Sequence, residues 1–98
     1  MQIEKKLNGT ELTLNVSGRL DTLTAPELDD VIKASTDDIT SLTLDFANLE
    51  YVSSAGLRVL LSAQKKMNTK GTMVICNAND TIKEVFDVTG FSDILTIQ

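Results

Sequence analysis

Two serines and two aspartates are the residues of this chain best placed to do chemistry. Ser53 and Ser54 sit in Tyr51-Val52-Ser53-Ser54-Ala55-Gly56, where a strand pattern gives way to a helix pattern. Asp21 and Asp45 fall at the C-terminal ends of predicted strands, the edge at which open α/β sheets place their sites. A serine nucleophile needs a base, and the chain contains no histidine. Lys65 and Lys66 would lie about three helical turns from Ser54, too far to activate it. Two strand-end carboxylates could form an acid/base pair or a metal seat. The simpler reading is a turn aspartate and a strand-end aspartate that satisfy local N–H groups, and it carries more weight. Serines at a helix start ordinarily only cap it, which is the plain reading of Ser53 and Ser54.

The elements that must position these residues can be read from periodicity. Leu42, Leu44 and Phe46 alternate with Thr43 and Asp45, which predicts a strand over residues 41–46 with one buried face. After Asn48 the period changes. Leu57, Leu60, Leu61 and Met67 form one apolar stripe of a helix, with Arg58, Gln64, Lys65 and Lys66 largely on the other face. Ser53 is the expected N-cap of that helix and Ser54 its first residue. Gly56 in the first turn costs about 1 kcal/mol against alanine, so something must approach the backbone there, a partner or a ligand being one candidate.

Upstream, residues 2–6 and 10–17 read as a hairpin around Asn8-Gly9, a dipeptide suited to tight turns. Gly18 to Asp21 is then a loop. Thr24-Ala25-Pro26-Glu27 has the form of a capping box opening a helix from about Ala25 to Ala34, with Leu28, Val31 and Ile32 on its apolar side. Downstream, Gly71 is expected to end the central helix at positive φ. Residues 72–76 form an apolar strand of the kind found inside a sheet. Asn79-Asp80 caps a third helix carrying Ile82, Val85 and Phe86; Gly90 ends it, and residues 94–97 add a last short strand. The predicted order is β-β-α-β-α-β-α-β in a single α/β domain over residues 1–98, with a largely parallel sheet joined by right-handed crossovers.

Composition narrows the function. A formal net charge of −5, with nine basic residues scattered singly or in pairs, argues against a nucleic-acid footprint. The lone cysteine, Cys76, reads as a small hydrophobe on a buried strand. The five glycines are isolated, so no phosphate-binding loop is present. The N-terminus lacks the apolar run of a signal peptide and no stretch approaches the roughly 18 apolar residues of a membrane span, so the expected location is cytoplasmic, without membrane attachment.

Two motifs carry a resemblance. Ser17-Gly18-Arg19-Leu20-Asp21-Thr22-Leu23-Thr24-Ala25-Pro26-Glu27-Leu28 is similar to the entry into the first helix of STAS domains, and within them of the stand-alone bacterial anti-sigma-factor antagonists. Leu44-Asp45-Phe46 with Tyr51-Val52-Ser53-Ser54-Ala55-Gly56-Leu57-Arg58 resembles their phosphorylation loop and following helix. The likeness spans nearly the whole chain. It implies the STAS fold, a mostly parallel mixed sheet packed with helices, and a protein-binding switch rather than an enzyme. In that family the unphosphorylated form binds an anti-sigma factor that is also a serine kinase, freeing a sigma factor. Phosphorylation ends the interaction, and a serine phosphatase restores it. Alignment on Gly56-Leu57 places the phosphoacceptor at Ser54. The family often has aspartate directly before that serine, whereas this chain has Ser53, which makes Ser53 the second candidate. The implied partner surface comprises Asp21, Thr22, Ser53, Ser54, Ala55, Gly56 and Arg58, with no cofactor and no metal.

Three function classes therefore stand. The first is the phosphorylation-controlled regulator. The second is a constitutive or transporter-associated STAS domain in which the serines only cap. The third is a small hydrolase or phosphotransferase using Asp21 and Asp45.

Overall fold

The computed structural model describes residues 1–98. Four strands, β1 (Gln2–Asn8), β2 (Glu11–Leu20), β3 (Ser41–Val52) and β4 (Thr72–Cys76), form one sheet in the order β1-β2-β3-β4. The first pair is antiparallel and the other two are parallel. Three helices complete the chain: α1 (Ala25–Ser35), α2 (Ser54–Asn68) and α3 (Asp80–Thr89), followed by a short 3-10 turn at Phe91–Asp93. No helix is long and apolar enough to cross a membrane.

Strand alternation builds the core. Leu12, Leu14 and Val16 of β2, Leu42, Leu44 and Phe46 of β3, and Met73 and Ile75 of β4 are buried together with Leu28 and Ile32 of α1, Leu57 and Leu60 of α2, and Ile82 and Phe86 of α3 in one cluster. The residues between them, Thr13, Asn15, Thr43, Asp45, Val74 and Cys76, stay half-exposed. All three helices thus cover one face of the sheet, and the other is left polar.

Several local expectations change. The hairpin turns at Gly9-Thr10, because Asn8 pairs with Glu11; Gly9 takes φ +63°, as the first central residue of a II′ turn must. The residues read as a loop at 18–20 continue β2, and β3 runs six residues past Phe46 to Val52. Two register shifts explain why. Asn15 pairs with Asp45 but Ser17 with Asn48, and Gly18 pairs with Leu49 but Arg19 with Tyr51, so β3 carries an extra residue at each step. Each bulge slips the alternation, and the buried positions move to Leu49 and Val52.

Gly71 is needed for space, not for positive φ: a Cβ there would lie 1.8 Å from the Thr40 carbonyl oxygen. On α2, Gln64 lies in the buried stripe while Leu61 is only half-buried. The Gln64 side chain donates to Asn68 Oδ1 at 2.8 Å, which pairs its amide nitrogen, while its buried Oε1 has no hydrogen-bond partner. Strand β4 is an edge strand, with only alternate residues buried. The segment expected as a last strand makes a single parallel bridge, Ile75 to Ile97, so the order ends at the third helix and its 3-10 turn.

Candidate functional site

The parallel pairing of β2 with β3 sets the site. Leu20 pairs with Val52, and the Ser53 N–H donates to the Leu20 carbonyl at 2.8 Å. The turn that follows β2 and the helix that follows β3 therefore begin side by side, which places Asp21 and Thr22 next to Ser53 and Ser54.

Asp21 is the organiser of its turn. Its Oδ1 accepts from the Leu23 N–H at 3.0 Å and the Thr24 N–H at 3.1 Å, while its own N–H donates to Thr24 Oγ1 at 2.9 Å. The Thr24 hydroxyl in turn donates to the Arg19 carbonyl at 2.7 Å. The expected capping box is not formed: Thr24 is in helical conformation and its side chain caps nothing in α1. The Asp21 side chain instead holds the Leu23 and Thr24 N–H groups just ahead of the helix, and its carbonyl accepts the Ala25 N–H at 2.8 Å. The Thr24 N–H is the main cause that holds the Asp21 carboxyl below its usual range; burial opposes it, and the Leu23 N–H, the Thr24 hydroxyl and Arg19 add to it.

Asp45 does not join this group. It lies in mid-β3, paired with Asn15 and Cys76, roughly 20 Å along the strand from Val52. Its Oδ1 accepts from the Ala47 N–H at 3.0 Å and from Asn77 Nδ2 at 3.1 Å, so it stays where the local-turn reading put it. The Asp21–Asp45 pair weighed from sequence is overturned by this separation. Cys76, beside Asp45, is half-buried rather than buried; burial first and the Asp45 charge second push its thiol up, which favours the protonated form.

The two serines divide their duties. Ser53 is extended at φ −92° and ψ 174°, and its side chain accepts from the Gly56 N–H at 3.3 Å. This is the N-cap. Ser54 follows as the first residue of α2, is exposed, and takes no part in that cap. The close approach foreseen at Gly56 comes from the chain itself: a Cβ there would meet Leu20 Cγ at 2.7 Å and the Leu20 carbonyl oxygen at 3.1 Å. Ala55 is half-buried and Arg58 exposed, and both line an open groove of about 250 Å³ whose opposite wall includes Thr22 and Asp29.

Three neighbours escaped the sequence reading. The Arg19 guanidinium stacks 4.4 Å from the centre of the Tyr51 ring and lies 3.9 Å from the Asp21 carboxylate. Leu23, on the Asp21 turn, is 85% exposed, an unusual position for a large aliphatic side chain. Arg19 and Tyr51 both sit inside the motifs, but only the bulged register makes them partners. What this corner offers is display: an exposed hydroxyl at a helix start, with exposed Arg58 four residues on along the same helix and the adjoining Asp21 turn carrying an exposed leucine and a held arginine.

Comparison with known proteins agrees with the architecture. An anti-sigma-B factor antagonist of Bacillus subtilis is 24% identical over 98 residues, covering 99% of this chain and 90% of that protein. BtrV of Bordetella bronchiseptica is 39% identical over 57 residues, 57% of this chain, and that match spans about half (49%) of BtrV. Among solved structures, an anti-sigma factor antagonist from Mycobacterium paratuberculosis superposes with a TM-score of 0.88 at 22% identity, covering 98% of this chain and 83% of that one. The Bacillus cell fate determinant SpoIIAA in its phosphorylated form does so with a TM-score of 0.77 at 16% identity, covering 99% and 91%. The sequence profile of the STAS domain matches residues 2–98, and the chain belongs to the STAS domain family.

Proposed function

We propose that this protein is an anti-sigma factor antagonist whose binding is switched by phosphorylation of Ser54. The observation that carries the reading is the division of labour at the start of α2: Ser53 caps the helix, and Ser54 is left exposed with its hydroxyl free for a kinase. Relatives with the antagonist name align over nearly the whole chain, and SpoIIAA, solved in phosphorylated and unphosphorylated forms, shares the fold.

In this reading the unphosphorylated surface of Asp21, Thr22, Ser53, Ser54, Ala55 and Arg58 binds an anti-sigma factor in the cytoplasm and frees a sigma factor. Gly56 serves from beneath, since it is buried against Leu20 and lets α2 start close to β2. The anti-sigma factor is also the kinase: Ser54 Oγ attacks the γ-phosphorus of ATP, its proton passes to a base of the kinase, and ADP leaves. A serine phosphatase hydrolyses the ester and resets the switch. The antagonist itself supplies a hydroxyl and a surface, and no catalytic group.

Incubation with the candidate kinase and ATP, followed by phosphopeptide mass spectrometry, tests this. Phosphate on Ser54 is expected. Phosphate on Ser53 alone overturns the assignment, and a complex that forms without any phosphate ever appearing favours a constitutive STAS scaffold.

A further inference from the structure

The nine basic residues of this chain are not equally free. Lys33 is bound to Asp29 at 2.8 Å and Lys66 to Asp37 at 3.2 Å, and Lys70 donates to the carbonyl oxygens of Thr36 and Asp37 at the end of α1. Near Ser54 there are two arginines. Arg19 is already held, stacked on Tyr51 and facing Asp21. Arg58 has neither arrangement. It is exposed on α2 four residues after Ser54, itself exposed, and residues at that spacing lie on one helix face with Cβ atoms about 5–6 Å apart. The acidic group across the groove, Asp29, is engaged by Lys33 and does not hold Arg58 in place.

We propose that Arg58 is a built-in counter-ion for phosphorylated Ser54. This rests on the reading of Ser54 as the modified residue. Once the phosphate is in place, the guanidinium turns from the groove toward its oxygens and forms a charge-assisted pair, for which the planar fork of arginine is better suited than lysine. Modification then does two things with one group. It adds negative charge at Ser54, and it withdraws Arg58 from the surface offered to the anti-sigma factor.

The test uses full-length protein with phosphoserine installed at position 54 during translation, so that no kinase is involved. The second ionisation of the phosphate is followed by phosphorus NMR across pH 4.5–8, in wild type, Arg58→Gln, Arg58→Lys and Arg19→Gln. The charged groups around the phosphate are Arg58 on α2, Arg19 and Asp21 at the end of β2, and the Asp29–Lys33 pair on α1. Wild type is expected to titrate a few tenths of a pH unit below Arg58→Gln, the size of an exposed pair one helical turn apart, with the difference shrinking at 1 M salt. Arg58→Lys should recover part of the shift and Arg19→Gln should leave it. In a parallel measurement the Arg58 Nε–H resonance should move on phosphorylation more than that of Arg19. Coincident curves for wild type and Arg58→Gln, or a shift that disappears only in Arg19→Gln, overturns the proposal and leaves the Ser54 assignment standing. That assignment falls separately, to phosphate found on Ser53 alone after kinase treatment.

Discussion

Gly56 lies directly against Leu20, with no room for a Cβ: the added carbon would stand 2.7 Å from Leu20 Cγ and 3.1 Å from its carbonyl oxygen. This contact joins the end of β2 to the start of α2 and so fixes where Asp21 and Ser54 stand relative to each other. Gly56→Ala improves helix propensity by up to about 1 kcal/mol but overpacks a fully buried leucine, which typically costs about 1–3 kcal/mol. The expected outcome is a net loss of stability. Urea denaturation should show a lower midpoint with unchanged slope, and a midpoint at or above wild type would show that α2 can move aside.

Gly71→Ala should be worse. Its Cβ would fall 1.8 Å from the Thr40 carbonyl oxygen, which is backbone and already accepts the Thr72 N–H at 2.9 Å. Neither atom can retreat without pulling β4 off β3, so a loss of about 3 kcal/mol or more is expected. Thermal unfolding by circular dichroism measures it, with Gly90→Ala as a comparison: that glycine has open space around it and is constrained only by its positive φ of +80°.

Much of this architecture was legible because local signals and global fold agree. The N-caps Ser53 and Asn79, the start of α2 at Ser54 and most of the apolar helix positions lie where the pattern puts them, the exchange of Leu61 for Gln64 in the buried stripe of α2 being the exception. What escaped is non-local. The alternation of β3 breaks at Phe46 because bulges insert extra residues, so Leu49 and Val52 look out of phase although both are buried. The Thr24-to-Glu27 pattern fits a capping box, but the Asp21 side chain reaches the Leu23 and Thr24 N–H groups and an ordinary turn wins. Gly71 and Gly56 are demanded by Thr40 and Leu20, residues far away in sequence that no window along the chain can see. The Arg19–Tyr51 stack depends on the same bulged register.

Asp21 makes stability depend on acid. Its carboxyl is held below the usual value chiefly by the Thr24 N–H, so the folded state binds its proton less readily than the unfolded chain does. A depressed folded value means the contribution is fully present above the unfolded value, near 3.8, and is lost as pH falls through the lower folded one. Asp21→Asn can keep an acceptor oxygen for the two N–H groups but cannot titrate. Denaturation midpoints for wild type and Asp21→Asn should therefore converge as pH is lowered from 5 to about 2.5, whereas parallel curves would show that the turn does not favour the carboxylate.

The last prediction separates the two serines by what each loses. Ser53→Ala removes the hydroxyl that accepts the Gly56 N–H, and an N-cap of this kind is worth about 1 kcal/mol, here toward the lower end because the bond is 3.3 Å long. Ser54→Ala removes an exposed hydroxyl with no capping duty and should leave the melting temperature within a degree or two. Ser54→Asp places a negative charge in the first turn of α2, a turn that has no acidic residue of its own, where the helix dipole favours an anion by roughly 0.3–1 kcal/mol. It should melt at or slightly above wild type. At an interface the same charge is desolvated, and if unpaired there it costs on the order of 2–5 kcal/mol, about thirty-fold to several-thousand-fold in affinity. Calorimetric titration with the anti-sigma factor should accordingly show near-normal binding by Ser54→Ala, slightly weakened or normal binding by Ser53→Ala, and little or none by Ser54→Asp. Folding and binding then respond to different serines. Full partner binding by a well-folded Ser54→Asp would show that charge at this position is not the switch.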